Sequence, residues 1–364
     1  MSPDGGVEIL KLARQVEVEP EALAYLQYVA PQDIRDLREQ VTGAVFDADR
    51  QMLQRLAAAT KVIPTKLAAS IAQQALGPLL SARVTSLLEP PKAVEIAARL
   101  PTDFLADLAV QLDPRRASRV IAEIPARQIG QITAELAKRE EYIAMGGFVG
   151  HLPEAALRAA TEAVDDEDLL LTAFVIDAKA NLGPLVGLLP EERLESIIRT
   201  AHESELWPEA LDVLRHVSER QRGQLGDLAA AQEDAVLDGM VSAAQSDGLW
   251  GDVLPVTRAM DAESRARFAK LKSLQTRPVL SSIVEAASEH ELWPELLVLL
   301  PELPAEARRR VAALGKDFDR SILEQITAAA HEHDLWEPLD LLAEELEPKA
   351  QAQITELRES LESA

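Results

Sequence analysis

The sequence predicts an all-α protein, a right-handed α-solenoid or superhelix of short helices. Three observations carry that expectation. The four tryptophans of the 364-residue chain, Trp207, Trp250, Trp293 and Trp336, follow one another at intervals of 43 residues. Ahead of them, Leu88, Leu100, Leu112, Ile124 and Leu136 fall 12 residues apart, most with a proline one or two positions behind. Around both sets of marks, apolar residues recur at i, i+3, i+4 and i+7, which is one face of a 3.6-residue helix. A fixed period in the forties is the mark of a stacked helical array. A 12-residue helical cadence (88–136) is therefore expected to run into a 43-residue three-helix repeat (194–361). Three regions follow: a helical region at 1–87, a spiral of short helices at 88–165, and Trp-marked repeats at 166–364, continuous with the spiral.

Residues 7–30 read as two short helices, marked by Ile9, Leu12 and Val16 and then by Leu23, Leu26 and Val29. Pro31 opens a longer helical pattern to about residue 59, through Ile34, Leu37, Val41, Val45, Met52, Leu53 and Leu56. From Lys66 to Leu88 the text is small and apolar, a packed hairpin broken at Gly77-Pro78. Lys61, Lys66 and Arg83 flank it, a combination that also suits a lipid surface. Three basic residues in so acidic a chain are few, and peripheral membrane contact is not expected.

In the 12-residue cadence, Pro90, Pro101, Pro114 and Pro125 each end one helix of about three turns and open the next. The text LEPPKAVEIAARLPTDFLADLAVQLDPRRASRVIAEIP, residues 88–125, resembles the superhelical cytoplasmic N-terminal domain of MgtE-type magnesium transporters. The resemblance extends over about residues 85–165. In that family the domain precedes paired CBS domains and a transmembrane channel, and it helps sense magnesium. Residues 166–364 match neither following part, so transport is not implied, and no individual magnesium ligand is matched.

Residues 140–190 form a junction, with Gly146-Gly147 and Gly150 read as breaks and Asp165-Asp166-Glu167-Asp168 as an acidic centre. The helix face of the later repeat persists there in degraded form as Leu157, Ala160, Thr161 and Val164.

Each later repeat has three helices. The first carries a face that reads Leu194, Ile197, Ile198, Ala201, then Leu237, Met240, Val241, Ala244, then Leu280, Ile283, Val284, Ala287, then Leu323, Ile326, Thr327, Ala330. The second begins at the tryptophan. The third carries the pairs Leu225/Leu228, Phe268/Leu271, Val311/Leu314 and Ile354/Leu357. Three short helices per unit resemble the armadillo/HEAT class. The strict leucines around the tryptophans favour them as core wedges over an aromatic ligand strip. Gly251 and Pro255 predict that the second tryptophan helix bends or starts late. Asp340, where the other units have leucine, predicts a face shifted to Leu339, Leu342 and Ala343.

Composition bounds the chemistry. The formal net charge is −24 and there is no cysteine, which excludes disulfides, thiolate metal sites and a cysteine nucleophile. Such acidity argues against non-specific nucleic-acid binding, which needs basic patches. No signal peptide and no transmembrane helix are expected, and the expected location is the cytoplasm. Asp165, Asp166 and Asp168 are candidate ligands for a hard cation such as magnesium; the alternative is an acidic helix start favoured by the helix dipole. His331 and His333 stand at i, i+2, about 200° apart on a helix, so one helix does not present both to one ion. These positions, with His202, Gln245, Ser288, Ser204, Asp247 and His290 in the other units, read as capping residues for the tryptophan helices. Arg308-Arg309-Arg310 and Arg115, Arg116 and Arg119 read as solvated faces. No phosphate loop, nucleophile elbow or acid–base pair is legible. The expected function is a non-catalytic scaffold that binds a protein partner and needs no cofactor. The alternatives are a stand-alone Mg2+-responsive regulatory module or, third, an enzyme with its site at 140–190.

Overall fold

The computed structural model describes residues 3–16, 18–48, 50–315, 318 and 320–362, with backbone alone at 3, 4 and 44–48. Met1, Ser2 and the side chain of Val45 fall outside that description. Every regular element among the described residues is helical, and the chain divides into two compact units, residues 1–178 and 179–364.

In the first unit, helix Pro3–Gln15 is followed by a 3-10 helix, Pro20–Tyr28, where the sequence reading expected an ordinary helix. Pro20 opens it, and Leu23 and Leu26, three apart, pack on Ile9, Leu12 and Ile34. At three residues per turn, that spacing keeps one ridge on the core. The single helix expected over 31–59 is described as two, Pro31–Ala48 and Arg50–Ala59, with residue 49 outside the described set. Helix Thr65–Ile71 runs through a π turn, Ala72–Leu76, and the chain breaks at Gly77, whose φ of 69° lies in the left-handed region open to glycine. The prolines then set the cadence. Helices Pro90–Ala97, Thr102–Gln111, Pro114–Ile121 and Ala126–Ala137 begin 12 residues apart. Pro90 and Pro114 are first helical residues, while Pro101 and Pro125 sit one position earlier as N-caps. One core of this unit gathers Leu105, Ala106, Ala109, Ile132, Leu136, Met145 and Val164.

The junction corrects one expectation. Gly146 and Gly147 do not break the chain; they lie inside helix Tyr142–Phe148. A Cβ on Gly146 would come within 3.1 Å of the Ile176 Cα and of the Val175 carbonyl oxygen. Glycine is there so that helix and backbone can touch.

In the second unit, after helix Leu182–Leu188, the α-helices fall into threes. First helices are Glu191–Glu203, Asp234–Ser246, Arg277–Glu289 and Arg320–Glu332. Tryptophan helices are Trp207–Leu214, Trp250–Ala259, Trp293–Leu299 and Trp336–Ala343. Third helices are Glu219–Ala230, Ala262–Ala269, Ala305–Leu314 and Pro348–Glu362. Starts within each set are 43 residues apart. Trp250–Ala259 starts in register in spite of Gly251 and holds Pro255 inside it, so of the bend or late start expected there the late start does not occur. Ala201, Ala244, Ala287 and Ala330 have no exposed surface. Gly223 packs so closely on the Ala259 carbonyl that a Cβ would run into its oxygen and stand 3.0 Å from its carbon. Gly223→Ala is expected to destabilise the second unit by about 1–3 kcal/mol, the cost of overpacking. Urea unfolding of the full chain checks it, and an unchanged midpoint would sink the contact.

Candidate functional site

The turn into each tryptophan helix is built the same way. Glu205, Gly248, Glu291 and Asp334, two residues before the tryptophans, all have φ between 55° and 69°. The next residue donates its N–H back to the buried alanine: Leu206 to Ala201, Leu249 to Ala244 and Leu292 to Ala287 at 2.9 Å, and Leu335 to Ala330 at 2.8 Å. These are Schellman closures, in which one left-handed residue lets a backbone N–H satisfy an orphan carbonyl at a helix end. The capping expectation is thereby corrected. The N-caps of the tryptophan helices are Leu206, Leu249, Leu292 and Leu335, none with a side-chain cap. The backbone makes the turn, so the polar side chains are released for other contacts. Gln245 accepts from the Trp250 indole at 3.3 Å, and the His331 ring tilts against Trp336 at 5.8 Å.

Trp207, Trp250 and Trp293 are buried, and Trp336 is half-buried with the Arg358 guanidinium 4.5 Å above its ring. The Trp293 indole donates to Gln325 at 3.0 Å, whereas the buried Trp207 Nε1 has no hydrogen-bond partner. Asp340 is exposed and pairs with Arg358, while Leu339 and Leu342 are buried.

A second device recurs at the third helices. Arg222 donates to the Leu214 carbonyl at 3.1 Å, Arg265 to Thr257 at 3.0 Å, and Arg308 to Leu303 at 2.7 Å. Gln351 takes the same place in the last unit, donating to Leu346 at 3.0 Å. These side chains tie each third helix to the end of its tryptophan helix or to the turn that follows it. Arg267 reaches the carbonyls of Ala230 and Gln232, and Arg310 that of Gln275 at 2.7 Å, so two further arginines tie one repeat to the one before. The column Arg222, Arg265, Arg308 is visible once the sequence is aligned on the tryptophans. The arginine run at 308–310 is in part a set of helix ties, not only a solvated face.

The acidic centre at 165–168 is a helix start. Asp165 is the N-cap of helix Asp166–Phe174 and accepts from the Asp168 N–H at 2.9 Å. Asp168 accepts from the Tyr142 hydroxyl at 3.0 Å. Burial raises the Asp168 carboxyl above its ordinary value, against the hydrogen bond from Tyr142, and burial together with Asp168 pushes the Tyr142 phenol up to about 12. Among the described residues, no group of three or more His, Asp or Glu side chains is placed to hold a metal ion. Arg115 pairs with Glu39 at 2.5 Å and Arg116 with Asp113 at 3.2 Å.

A dense polar cluster in the first unit has no signal in the sequence. Glu8 and Lys11, on the first helix, are buried with 1% and 3% of their surface exposed. Lys11 Nζ donates to Asp177 at 2.7 Å, with Glu8 at 3.5 Å. Arg35 donates to Glu8 at 2.9 Å, and Arg38 donates to Asp177 at 3.0 Å. Three cations and two carboxylates thus hold Pro3–Gln15, Pro31–Ala48 and the segment after Asp166–Phe174 together. Burial lowers the Lys11 amine below its ordinary value, opposed by Asp177 and Glu8. Burial pulls the Asp177 carboxyl up, but Lys11 and Arg38 outweigh it and hold it below the ordinary range. A five-group network with its acids already engaged by cations is a clamp in its chemistry. Asp212, buried in the second unit with Lys179 at 2.6 Å, is a smaller clamp of the same kind.

The chain matches no protein-family model, no curated protein and no solved structure.

Proposed function

We propose that the chain is a non-catalytic helical-repeat scaffold, a right-handed α-solenoid whose concave surface binds a protein partner in the cytoplasm. The observation that carries this reading is the invariance of the repeat framework. The helix starts, the left-handed turn and the buried alanine recur every 43 residues in the second unit. Such an array spends its fixed positions on packing and leaves its outer positions free to differ, which is how solenoids present extended binding faces. The tryptophans serve that framework, three of them being buried. No helix among the described residues is long and apolar enough to cross a membrane.

A second reading has its own support. Asp165, Asp166 and Asp168 sit close in the chain, and residues 88–125 resemble the magnesium-sensing domain named above; a stand-alone Mg2+-responsive module would use them. Small-angle scattering and thermal melting with millimolar magnesium, against chelator at matched ionic strength, separate the two. The scaffold reading expects no magnesium-specific change in radius of gyration or melting temperature. A contraction with a higher melting temperature that monovalent salt does not reproduce would replace it with the sensor.

A further inference from the structure

All the large apolar side chains left exposed among the described residues lie between Leu10 and Leu79, and all but Leu10 and Leu37 fall in two stretches of opposite charge. In the first, residues 15–34 contain no Lys or Arg, and Glu19, Glu21 and Asp33 are exposed. The 3-10 helix Pro20–Tyr28 buries no residue. With three residues per turn its side chains form three ridges. Pro20, Leu23 and Leu26 form the ridge on the core, and Ala22, Tyr25 and Tyr28 form an exposed one, with Tyr25 68% and Tyr28 88% accessible. Tyrosine in that position supplies large, rigid contact area.

In the second stretch, residues 50–88 carry Arg50, Arg55, Lys61, Lys66 and Arg83 and not one Asp or Glu, within a chain of net charge −24. Two successive helices turn an apolar and a basic residue outward together, Met52 with Arg55 and Leu67 with Lys66, and the next leaves Leu79 exposed with Arg83 half-buried one turn on. The turn between the first two adds Lys61 and Val62, the latter 85% accessible.

Each stretch supplies what the other lacks, an apolar surface of the opposite sign. Both stay exposed in a single chain, so a chain does not satisfy them by itself. A contact of the basic stretch with its own copy would oppose like charges. The acidic second unit would match the charge but offers no exposed large apolar side chain among its described residues. We propose that the occupant is a second copy: the Tyr25/Tyr28 ridge of one chain seats on residues 50–88 of the other, and the reverse contact closes a two-fold dimer. A two-fold interface pairs two unlike patches twice, which is why one unit can carry both halves.

Sedimentation equilibrium of the full chain tests this. The expected result is a dimer at about 100 μM protein in low salt, whose dissociation constant rises at least about tenfold between about 50 mM and about 500 mM salt as the charges are screened. Tyr25→Ser with Tyr28→Ser is expected to leave a monomer with an unchanged melting curve, both side chains being exposed. The decisive arm is a charge swap. Glu19→Lys/Glu21→Lys and Lys61→Glu/Lys66→Glu variants are each expected to be monomeric alone, and their equimolar mixture to dimerise, because both contacts regain opposite signs. A wild-type monomer under all these conditions, a dimer indifferent to the variants, or a mixture that stays monomeric overturns the proposal. So does a monomer that co-sediments with phosphatidylserine vesicles through Lys61 and Lys66, which would give the basic stretch to a lipid surface instead.

Discussion

Asp177→Asn is expected to destabilise the first unit by about 3–5 kcal/mol, the cost of stranding a buried charge. The reason is an asymmetry in the network. With Asp177 neutralised, Lys11, 3% exposed, keeps only Glu8 at 3.5 Å, one turn away on its own helix. Lys11→Met is expected to cost less than half as much, because Arg38 remains 3.0 Å from Asp177 and Arg35 remains 2.9 Å from Glu8. The double variant should recover part of the loss, since it removes both the stranded cation and its former partner. Denaturant unfolding of the three variants measures this. Equal costs for the two single variants would show that the clamp is not organised around Asp177.

The same groups set a pH dependence. Asp177 titrates lower in the folded chain than unfolded, so its contribution is present above about pH 3.9 and is lost as pH falls through its depressed folded value. Lys11 acts with the same slope in a higher pH window, where burial makes its charged form a cost to the fold. Its folded value is lowered, so the unfolded chain holds the proton more tightly, and stability rises as pH climbs from that lowered value toward about 10.4. Asp177→Asn should abolish the acid limb, and Lys11→Met the alkaline one. Stability profiles of the variants against the native chain check both limbs, each of which rises with pH.

What the sequence disclosed and what it hid divide along physical lines. The helix starts at 90, 102, 114 and 126 were legible because proline acts locally, fixing its own φ and barring its predecessor from the helix. The 43-residue metre was legible because tryptophan and alanine columns repeat. Gly146-Gly147 misled because glycine has two uses, a flexible break and a place for close approach, and only the position of Val175 and Ile176 says which applies. The clamp was hidden for a different reason. Lys11 and Asp177 are 166 residues apart, and lysine and glutamate are ordinarily placed outside. The Schellman turns lay between. Asp334 and Gly248 are ordinary left-handed residues, but Glu205 and Glu291 are not, so no local signal marked the turn in those two units.

Truncating the four tryptophans should give unequal losses, although the sequence makes them look equivalent. Trp250→Ala is expected to cost about 3–5 kcal/mol, the full price of an aromatic removed from a core; Trp250 is 1% exposed and its indole is held by Gln245. Trp293→Ala belongs beside it, since Trp293 is 3% exposed, donates to Gln325 and meets Phe318 edge-on at 5.9 Å. Trp207→Ala should cost less than either, because it also removes a buried N–H without a partner, a group that itself costs about 1–3 kcal/mol when left unsatisfied. Trp207→Phe follows from the same argument and should be the mildest change at the three buried sites. Trp336→Ala should be the smallest of the alanine losses: the ring is half-buried, and what it forfeits beyond partial burial is the contact under Arg358, worth about 0.5–1 kcal/mol at an exposed site. Arg358→Ala in the Trp336→Ala background should then cost almost nothing through that contact. The ranking is read from denaturant midpoints of the full-length variants. If all four alanine variants lost the same stability, the tryptophans would be interchangeable markers, and the differences in their surroundings would have no energetic meaning.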